Sequence, residues 1–285
     1  MPETPRKQTC DPHPEPHNDV GLRRVRAPVA AVGGAGGLRS RAVIVFVHGV
    51  PETAATWRKV RAALDQESVA LALPGFGCPV PDGFVPSKEA YLDWLLGELD
   101  ALDGPVDLVG HDWGAGLTFP VAAHHGDRLR SWVADVGNIA HPDYVWHDFA
   151  RLWQTPGDGE AFFAAQEAQS VDERAAGYAA LGLDPDDAHE MAAAGDATMG
   201  RCILGLYRSA LPNIHADWGP WAPSAAPGMV LHPTDDPFSD ATLAAATAEA
   251  LGARFATLDG AGHFWPYQAP AQGAAALEAF WASLG

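Results

Sequence analysis

The stretch VGHDWGAG, residues 109–116, decides the fold. A short apolar run leads into it, and glycines stand two positions before and two positions after Asp112. This is the outline of a nucleophile elbow, the sharp bend between a strand and a helix that presents one reactive side chain. The reactive position carries a carboxylate here, where such an elbow more often carries a hydroxyl. The stretch therefore predicts a strand, a bend and a helix, with Asp112 at the tip.

Apolar runs of strand length alternate with helical patterns on both sides of this bend. Ser87 is placed to cap one of the intervening helices, and the helix after the bend extends to about His125. Strands separated by helices predict an α/β fold whose central, mostly parallel sheet has helices on both faces. The six runs are Ala42–Val47, Val69–Leu73, Val106–Val109, Trp132–Val136, Met229–His232 and Arg254–Leu258.

The alternation stops after Gly137 and resumes at Met229. Residues 138–215 are rich in Ala, Trp, Asp and Met, have a helical pattern and contain no run typical of a buried strand. We therefore expect a helical cap at 138–215 on a core made of 20–137 and 216–285. Residues 1–19, rich in Pro, His and charge, predict a flexible tail. Two further strands are expected within Val20–Val32.

Composition narrows the classes of function. A formal net charge of −18 disfavours nucleic acid and anionic membrane surfaces as partners, because both repel a negative protein. No segment has the apolar length of a membrane span, and the N-terminal residues lack the apolar centre of a signal peptide. The scattered cysteines Cys10, Cys78 and Cys202 form no disulfide framework. These features predict a cytoplasmic globular protein, with a homodimer left open.

Polar motifs follow the predicted strands at their carboxyl ends, the edge where open parallel sheets bind ligands. His48-Gly49-Val50-Pro51 follows the first strand, and the bend at 109–116 follows the third. The pair Asp235-Asp236 follows the fifth strand, and Gly260-Ala261-Gly262-His263 follows the last. Each motif alone is weak. Their order along the chain predicts one site that brings Asp112, an acid and His263 together.

These motifs resemble those of α/β-hydrolases of the epoxide hydrolase and haloalkane dehalogenase branch. HGVPETAATWR (48–58) resembles the HG-x-P-E segment of epoxide hydrolases, and LPGFG (73–77) resembles the loop after their next strand. The order nucleophile, acid, histidine is that of the fold. The resemblance implies the α/β-hydrolase fold with a helical cap, and backbone N–H groups of Val50 and Trp113 as the oxyanion hole.

A carboxylate at the nucleophile position selects the chemistry. It is already ionised at neutral pH, since an unperturbed Asp has a pKa of about 3.9. Attack on a carboxylic ester would give a mixed anhydride, whereas attack on a saturated carbon gives an ordinary alkyl ester. Asp112 therefore favours displacement at carbon, after which His263 would activate water to hydrolyse the ester. This predicts an enzyme that forms a covalent intermediate.

Three acids remain open as the partner of His263. Asp236, followed by Pro237, matches the family position best, and it would orient the imidazole and stabilise its cation. Asp235 is the neighbouring alternative. Asp135, at the end of the strand after the elbow helix, is the third, because relatives resembling fluoroacetate dehalogenases place the acid there.

The leaving group decides between an epoxide and a halide. Opening an epoxide produces an alkoxide that needs a proton donor, and Leu206-Tyr207-Arg208 resembles the cap segment that supplies a tyrosine, so Tyr207 is the candidate. A second tyrosine has no clear counterpart. Tyr144 and Tyr178 are options, and Trp153 could donate from its indole. For a halide, Trp113 and Trp153 or Trp146 would be the donors. We expect epoxide hydrolysis, with dehalogenation as the alternative.

Three further expectations concern ligands and other classes of function. The positions after the nucleophile hold Trp113 and Ala115 in place of arginines, so a neutral, apolar or aromatic substrate is expected. The histidines show no ligand spacing such as H-E-x-x-H, so neither a metal nor another cofactor is expected. An esterase-like or carbon–carbon hydrolase activity, and a non-catalytic binding protein on the same fold, stay as alternatives.

Overall fold

The computed structural model describes residues 42–285. The predicted tail at 1–19 and the strands predicted within Val20–Val32 lie outside these residues. Within the described range, none of the helices is both long enough and apolar enough to cross a membrane.

A six-stranded parallel sheet forms the centre of the described chain, as the sequence predicts. Its spatial order is β2-β1-β3-β4-β5-β6. The strand β2 lies on one side of β1, and β3 to β6 lie in order on the other side. The direction in which strands are added therefore reverses between β1 and β3. Ligands bind at such a reversal, beyond the carboxyl ends of the strands. The strands are β1 Val43–Val47, β2 Ser68–Leu71, β3 Val106–Gly110, β4 Leu129–Ala134, β5 Gly228–Pro233 and β6 Arg254–Leu258.

Apolar side chains on both faces explain why the central strands read as continuous apolar runs. Val45 and Val47 pack on one side of the sheet, while Ile44 and Phe46 pack on the other. Such alternation is the period-two geometry of a strand. Helices α2 (Lys88–Asp100), α3 (Trp113–His125) and α10 (Ala241–Ala250) contribute buried side chains to the first layer. Helices α1 (Arg58–Ala62), α11 (Trp265–Gln268) and α12 (Pro270–Ala282) contribute to the second.

Local signals fix several helix boundaries. The hydroxyl of Ser87 accepts a hydrogen bond from the backbone N–H of Ala90, which is the predicted cap of α2. A short helical segment follows the loop after β1. It is a 3₁₀ turn at Ala54–Trp57 followed by α1, because the Thr53 hydroxyl caps the tighter turn.

Five helices occupy the chain between β4 and the short helix α9 (His215–Trp218), where the sequence predicts the cap. They are α4 Asp148–Gln154, α5 Asp158–Glu167, α6 Val171–Ala180, α7 Pro185–Ala194 and α8 Ala197–Arg208. No strand lies between residues 135 and 227. Ion pairs from Lys59 to Asp187 and from Arg58 to Glu190 join α7 to α1. The limits of the cap as a separate domain stay a prediction.

Candidate active site

The backbone at Asp112 makes the sharp bend that the sequence predicts. Asp112 has φ 51° and ψ −116°, a backbone conformation that residues other than glycine rarely adopt. It lies at the bend between β3 and α3. Two glycines allow this close packing. A Cβ on Gly114 would lie 2.1 Å from the carbonyl oxygen of Val47, and a Cβ on Gly110 would lie 2.3 Å from that of Gly114. Strain of this kind persists where the surroundings hold the reactive side chain in place.

The Asp112 carboxylate lies under the loop that follows β1. Its Oδ1 accepts a hydrogen bond of 2.7 Å from the backbone N–H of Val50. A Cβ on Gly49 would lie 2.3 Å from the Asp112 Cβ, so this loop approaches so closely only because residue 49 has no side chain. Burial raises the pKa of Asp112 to about 6. The carboxylate is therefore ionised at neutral pH, yet it is poorly solvated and so a better nucleophile than a surface aspartate.

Among the three candidate acids, the structure brings Asp236 to His263. Asp236 Oδ2 lies 3.0 Å from His263 Nδ1, and its Oδ1 accepts a 2.8 Å hydrogen bond from the Phe238 N–H. Burial alone would lower the pKa of His263, but the Asp236 carboxylate more than compensates, and the pKa is raised. His263 Nε2 lies 3.9 Å from Asp112 Oδ2, which is beyond a direct hydrogen bond.

The other two acids have different partners. Asp235 is exposed, and its Oδ1 accepts a hydrogen bond from the Thr234 hydroxyl. Asp135 is buried and faces the elbow from the end of β4. Its Oδ1 accepts a 2.9 Å hydrogen bond from the Asp112 N–H, and its Oδ2 accepts one of 2.6 Å from the Trp265 indole. Asp135 thus contacts the backbone of the candidate nucleophile rather than the imidazole of His263.

A buried ionic cluster supports the elbow from below. His111 Nδ1 lies 2.5 Å from Asp135 Oδ2, and its Nε2 lies 3.0 Å from Glu52 Oε1. Burial would lower the pKa of His111, but the two carboxylates raise it well above its ordinary value. Glu52 also accepts a hydrogen bond from the Gly49 N–H, and its pKa is lowered to about 2 by His111 against the effect of burial. The cluster ties the loop after β1 and the end of β4 to the bend.

Sequence reasoning missed the part that Glu52 plays. The residue is visible in the run HGVPE, where a charged side chain follows an apolar strand and a proline. An isolated buried carboxylate is strongly destabilising, so its presence there signals a cationic partner. That partner is His111, which lies 59 positions further along the chain.

Aromatic side chains from the cap segment and from α3 form a wall beside Asp112. The ring of Tyr207, near the end of α8, has its centroid 5.3 Å from that of Trp113 and 4.9 Å from that of Trp153. Trp146 stacks on Trp113 at 5.8 Å, and Tyr144 packs against Trp146 at 5.1 Å. The structure thus brings together Tyr207, Trp113 and Trp153, three of the candidate site residues, and places Tyr144 beside them.

Burial and the negative charge of Asp112 raise the pKa of both tyrosines of this wall. Burial raises the pKa of Tyr207, and the negative charge of Asp112 raises it further. The pKa of Tyr144 is raised by burial first, and then by Asp112 and Asp236. Tyr178 lies elsewhere, on α6, where its ring packs against Phe264 at 6.4 Å. Of the two options for a second tyrosine, the cap segment therefore directs Tyr144 toward the site.

Two indole N–H groups of the wall have no acceptor in good geometry. The Nε1 atoms of Trp113 and Trp153 are buried and make no hydrogen bond of good geometry within residues 42–285. The Trp113 indole is nevertheless close to the Tyr207 phenol, and this proximity offsets part of the rise in the pKa of Tyr207. By contrast, Trp146 Nε1 donates to the carbonyl oxygen of Ala210 at 3.1 Å. Buried donors without a partner are uncommon, because each forfeits its hydrogen bonds to water. The indoles of Trp57, Trp132 and Trp281 also lack a partner among the described residues, so it is their position in the wall that makes Trp113 and Trp153 the candidates for contact with an electron-rich ligand. Among residues 42–285, no group of three or more acidic, His or Cys side chains is arranged to hold a metal ion.

Curated relatives match parts of the chain at low identity. An epoxide hydrolase 2 from Siraitia grosvenorii is 29% identical over 179 residues, which cover 54% of this chain and 53% of that protein. A haloalkane dehalogenase from Mycolicibacterium smegmatis is 36% identical over 114 residues, covering 37% of this chain and 36% of the relative. The matched region thus spans about half or less of these relatives.

Solved structures share the fold over most of the described chain. The structure of potato (Solanum tuberosum) epoxide hydrolase I superimposes with a TM-score of 0.67 at 20% identity, covering 86% of this chain and 93% of that one. A thermophilic esterase from Thermogutta terrifontis gives 0.65 at 20% identity, covering 86% and 91%. The sequence model of the alpha/beta hydrolase family matches residues 44–277. The chain belongs to the alpha/beta hydrolase family.

Proposed function

We propose that this alpha/beta hydrolase converts epoxides to diols through an ester formed on Asp112. The observation that carries the proposal is a buried carboxylate at the elbow, 3.9 Å from the Nε2 of a histidine that is itself paired with Asp236. A carboxylate needs no base to attack carbon, so this histidine is left to serve the second step. Epoxide hydrolases among the relatives are consistent with this chemistry.

In the proposed first step, Asp112 Oδ2 attacks a ring carbon and the carbon–oxygen bond of the epoxide breaks. Oδ1 is held by the Val50 N–H, which leaves Oδ2 as the attacking oxygen. The departing oxygen takes its proton from Tyr207, with Tyr144 as the second donor. The raised pKa of each phenol keeps it protonated until an alkoxide, a far stronger base, develops beside it.

In the proposed second step, water attacks the Cγ of the Asp112 ester. His263 Nε2 takes the proton, and Asp236 stabilises the imidazolium that results. Negative charge develops on Oδ1, where the Val50 N–H already donates and where the N–H of Trp113, the first residue of α3, has no acceptor within its own helix. Cleavage of the Cγ–Oδ2 bond then releases the diol oxygen as an alkoxide, which takes its proton back from the His263 imidazolium. The acid proton left on Asp112 returns to the Tyr207 phenolate of the first step, which restores the carboxylate.

A haloalkane dehalogenase is the second candidate. The unpartnered indole N–H groups of Trp113 and Trp153 favour it, because a departing halide needs hydrogen-bond donors and no proton. The first and second steps would otherwise be the same. A dehalogenase among the relatives is in keeping with this alternative.

A single turnover in water enriched in heavy oxygen tests the proposal. The enzyme, in excess, is given styrene oxide, 1-bromobutane or p-nitrophenyl butyrate, and the peptide that contains Asp112 is analysed by mass spectrometry. We expect label in Asp112 with styrene oxide, because water attacks the protein rather than the substrate. Label only in the diol would contradict an ester intermediate. Turnover of the bromide alone would favour the dehalogenase, and turnover of the ester alone would favour an esterase-like activity.

Substitution of the two wall tyrosines separates ring opening from ester hydrolysis. We expect Tyr207→Phe to slow formation of the ester from styrene oxide by roughly 10²- to 10⁴-fold, since general acid catalysis contributes about that much. Hydrolysis of the ester should change little, because the alkoxide that leaves in that step takes its proton from the His263 imidazolium rather than from Tyr207. Tyr144→Phe should act in the same direction with a smaller effect. Rapid-quench measurement of both phases checks this.

Tyr178→Phe is the matched control for these substitutions. It removes a half-buried phenol of the cap segment that packs on Phe264, away from the aromatic wall, so both phases should keep their wild-type rates. Equal slowing of the two phases by Tyr207→Phe, or no slowing of either, would remove Tyr207 as the donor.

A further inference from the structure

His147 lies beside the site, yet no step above uses it. It is the residue before α4, it is half-buried, and its ring centroid lies 4.9 Å from that of Phe238. The ring of Phe238 in turn lies 5.0 Å from that of His263. On its other side, His147 is 6.4 Å from the rings of both Tyr207 and Trp153. Its imidazole is therefore placed between the candidate base and the aromatic wall.

The hydrogen bonding of His147 assigns its proton. Nδ1 accepts a 3.2 Å hydrogen bond from the backbone N–H of Ala150, so in the neutral ring the proton is on Nε2. Burial lowers the pKa of His147 to about 4, and the proximity of His263 acts in the same direction. The ring is thus neutral at physiological pH. Nε2–H is a donor that has no acceptor in the described part of the chain.

The charges around the ring define what this donor can bind. Asp236 and His263 face it from the core, and Asp148 and Arg151 lie on its own helix. The carboxylate of Asp236 and, beyond His263, that of Asp112 oppose an anionic ligand group at this position. A donor with no available acceptor nitrogen cannot receive a hydrogen bond from a hydroxyl or an amine. Its partner is therefore a neutral acceptor oxygen. An ether or a carbonyl oxygen only accepts and fits this donor, whereas a hydroxyl accepts too but brings a donor that the ring cannot satisfy.

We propose that His147 determines substrate specificity by donating a hydrogen bond from Nε2 to an ether or carbonyl oxygen on the part of the substrate remote from the reacting carbon. The inference rests on the proposed function for the identity of the reacting group. It narrows the substrate class from epoxides in general to epoxides that carry a second, neutral oxygen. A pure hydrocarbon epoxide leaves the donor unpaired and binds less well.

A matched pair of epoxides measures this contact. Benzyl glycidyl ether and 5-phenyl-1,2-epoxypentane have the same length and differ only in an ether oxygen that replaces a methylene. We expect wild-type kcat/KM to be about tenfold higher for the ether, since an uncharged hydrogen bond typically contributes a factor of that order.

Two substitutions separate recognition from a structural role. His147→Asn keeps an acceptor near the position of Nδ1, but its shorter side chain has no donor at the position of Nε2, so the tenfold ratio should fall to about one while the melting temperature holds. His147→Gln keeps an N–H near the position of Nε2 but loses the acceptor for Ala150. It should retain the ratio and lower Tm by about 2–4 °C. An unchanged ratio in His147→Asn, or loss of the ratio in His147→Gln alone, overturns the proposal.

Binding of the two corresponding diols separates this inference from the proposed function. Dissociation constants for 3-(benzyloxy)propane-1,2-diol and 5-phenylpentane-1,2-diol are measured calorimetrically on the wild type and on His147→Asn. If neither epoxide is turned over but the ether diol binds about tenfold tighter through His147, the proposed function is wrong and the recognition by His147 is supported. If both epoxides are turned over and the two diols bind equally, the proposed function holds and the recognition by His147 is overturned. Absence of binding of either diol also overturns it.

Discussion

Asp112→Asn is expected to lower kcat for epoxide hydrolysis by a factor on the order of 10⁶, as removal of a catalytic nucleophile does in other hydrolases. An amide oxygen does not displace an epoxide oxygen, and the rest of the site stays in place. Asparagine tolerates the positive φ of the bend, and its side-chain oxygen can still accept the Val50 N–H. Freshly purified protein and single-turnover assays with styrene oxide check the result. Sustained turnover by this variant would refute the assignment of the nucleophile.

The same substitution is expected to stabilise the fold above pH 6. Burial raises the pKa of Asp112 to about 6. Above this pH the folded protein contains an ionised, poorly solvated carboxylate, which lowers the free energy of unfolding. The wild type therefore loses stability as the pH rises from about 4 to 6, since the unfolded chain ionises first. The neutral amide of asparagine removes this penalty, which is worth up to about 3 kcal/mol at 1.4 kcal/mol per pKa unit.

Thermal unfolding at pH 8 and at pH 4.5 measures this gain. It should be full at pH 8 and small at pH 4.5, where the folded wild-type carboxyl is neutral. Asp235→Asn is the matched control, because it alters an exposed carboxylate nearby and should change neither activity nor stability. A gain of equal size at both pH values would show that burial of charge is not its cause.

His263→Gln is expected to trap the ester on Asp112. Attack by the carboxylate does not need the imidazole, whereas hydrolysis of the ester does, so the first step proceeds and the second slows by a factor on the order of 10⁴. Intact-mass measurement should show one adduct per chain. With an epoxide, the added mass equals that of the whole substrate, because ring opening loses no atom. With a haloalkane, the added mass lacks the halide and a hydrogen, so the same experiment distinguishes the two reactions.

His189→Gln serves as the control for the trapping experiment. His189 lies on α7 with an exposed side chain near Asp172, and its loss should leave turnover and mass unchanged. If His263→Gln processed its epoxide substrate while its mass stayed unshifted, the two-step route would be ruled out.

Much of the fold was predictable because each signal is local. The apolar runs of β1 and β3 and the glycines around Asp112 depend on neighbours within a few residues. These signals predict an α/β fold with a parallel sheet, and the family match confirms the α/β-hydrolase fold that the resemblance of the motifs implies. The motifs at the strand ends also converge, because parallel strands bring their carboxyl ends to one edge of the sheet. The roles of Asp112, Asp236 and His263 stay proposals that the experiments above test.

The surroundings of the triad could not be predicted in this way. Glu52, His111 and Asp135 form their cluster across three loops, and only the packed sheet brings them together. The positions of Tyr144 and His147 depend on how the segment before α4 lies against the core. Helical periodicity says which face of a helix is apolar, but it does not say where that helix rests. The choice between three acids was open for the same reason.

The hydrogen bond from the Val50 N–H to Asp112 Oδ1 makes the two carboxylate oxygens inequivalent. If Oδ1 always remains the carbonyl oxygen of the intermediate, only Oδ2 leaves with the diol. An oxygen atom from water then replaces it. Asp112 would then exchange one carboxylate oxygen in every cycle and keep Oδ1 throughout the lifetime of the protein. After many cycles in heavy-oxygen water, Asp112 would hold a single isotopic replacement and never two.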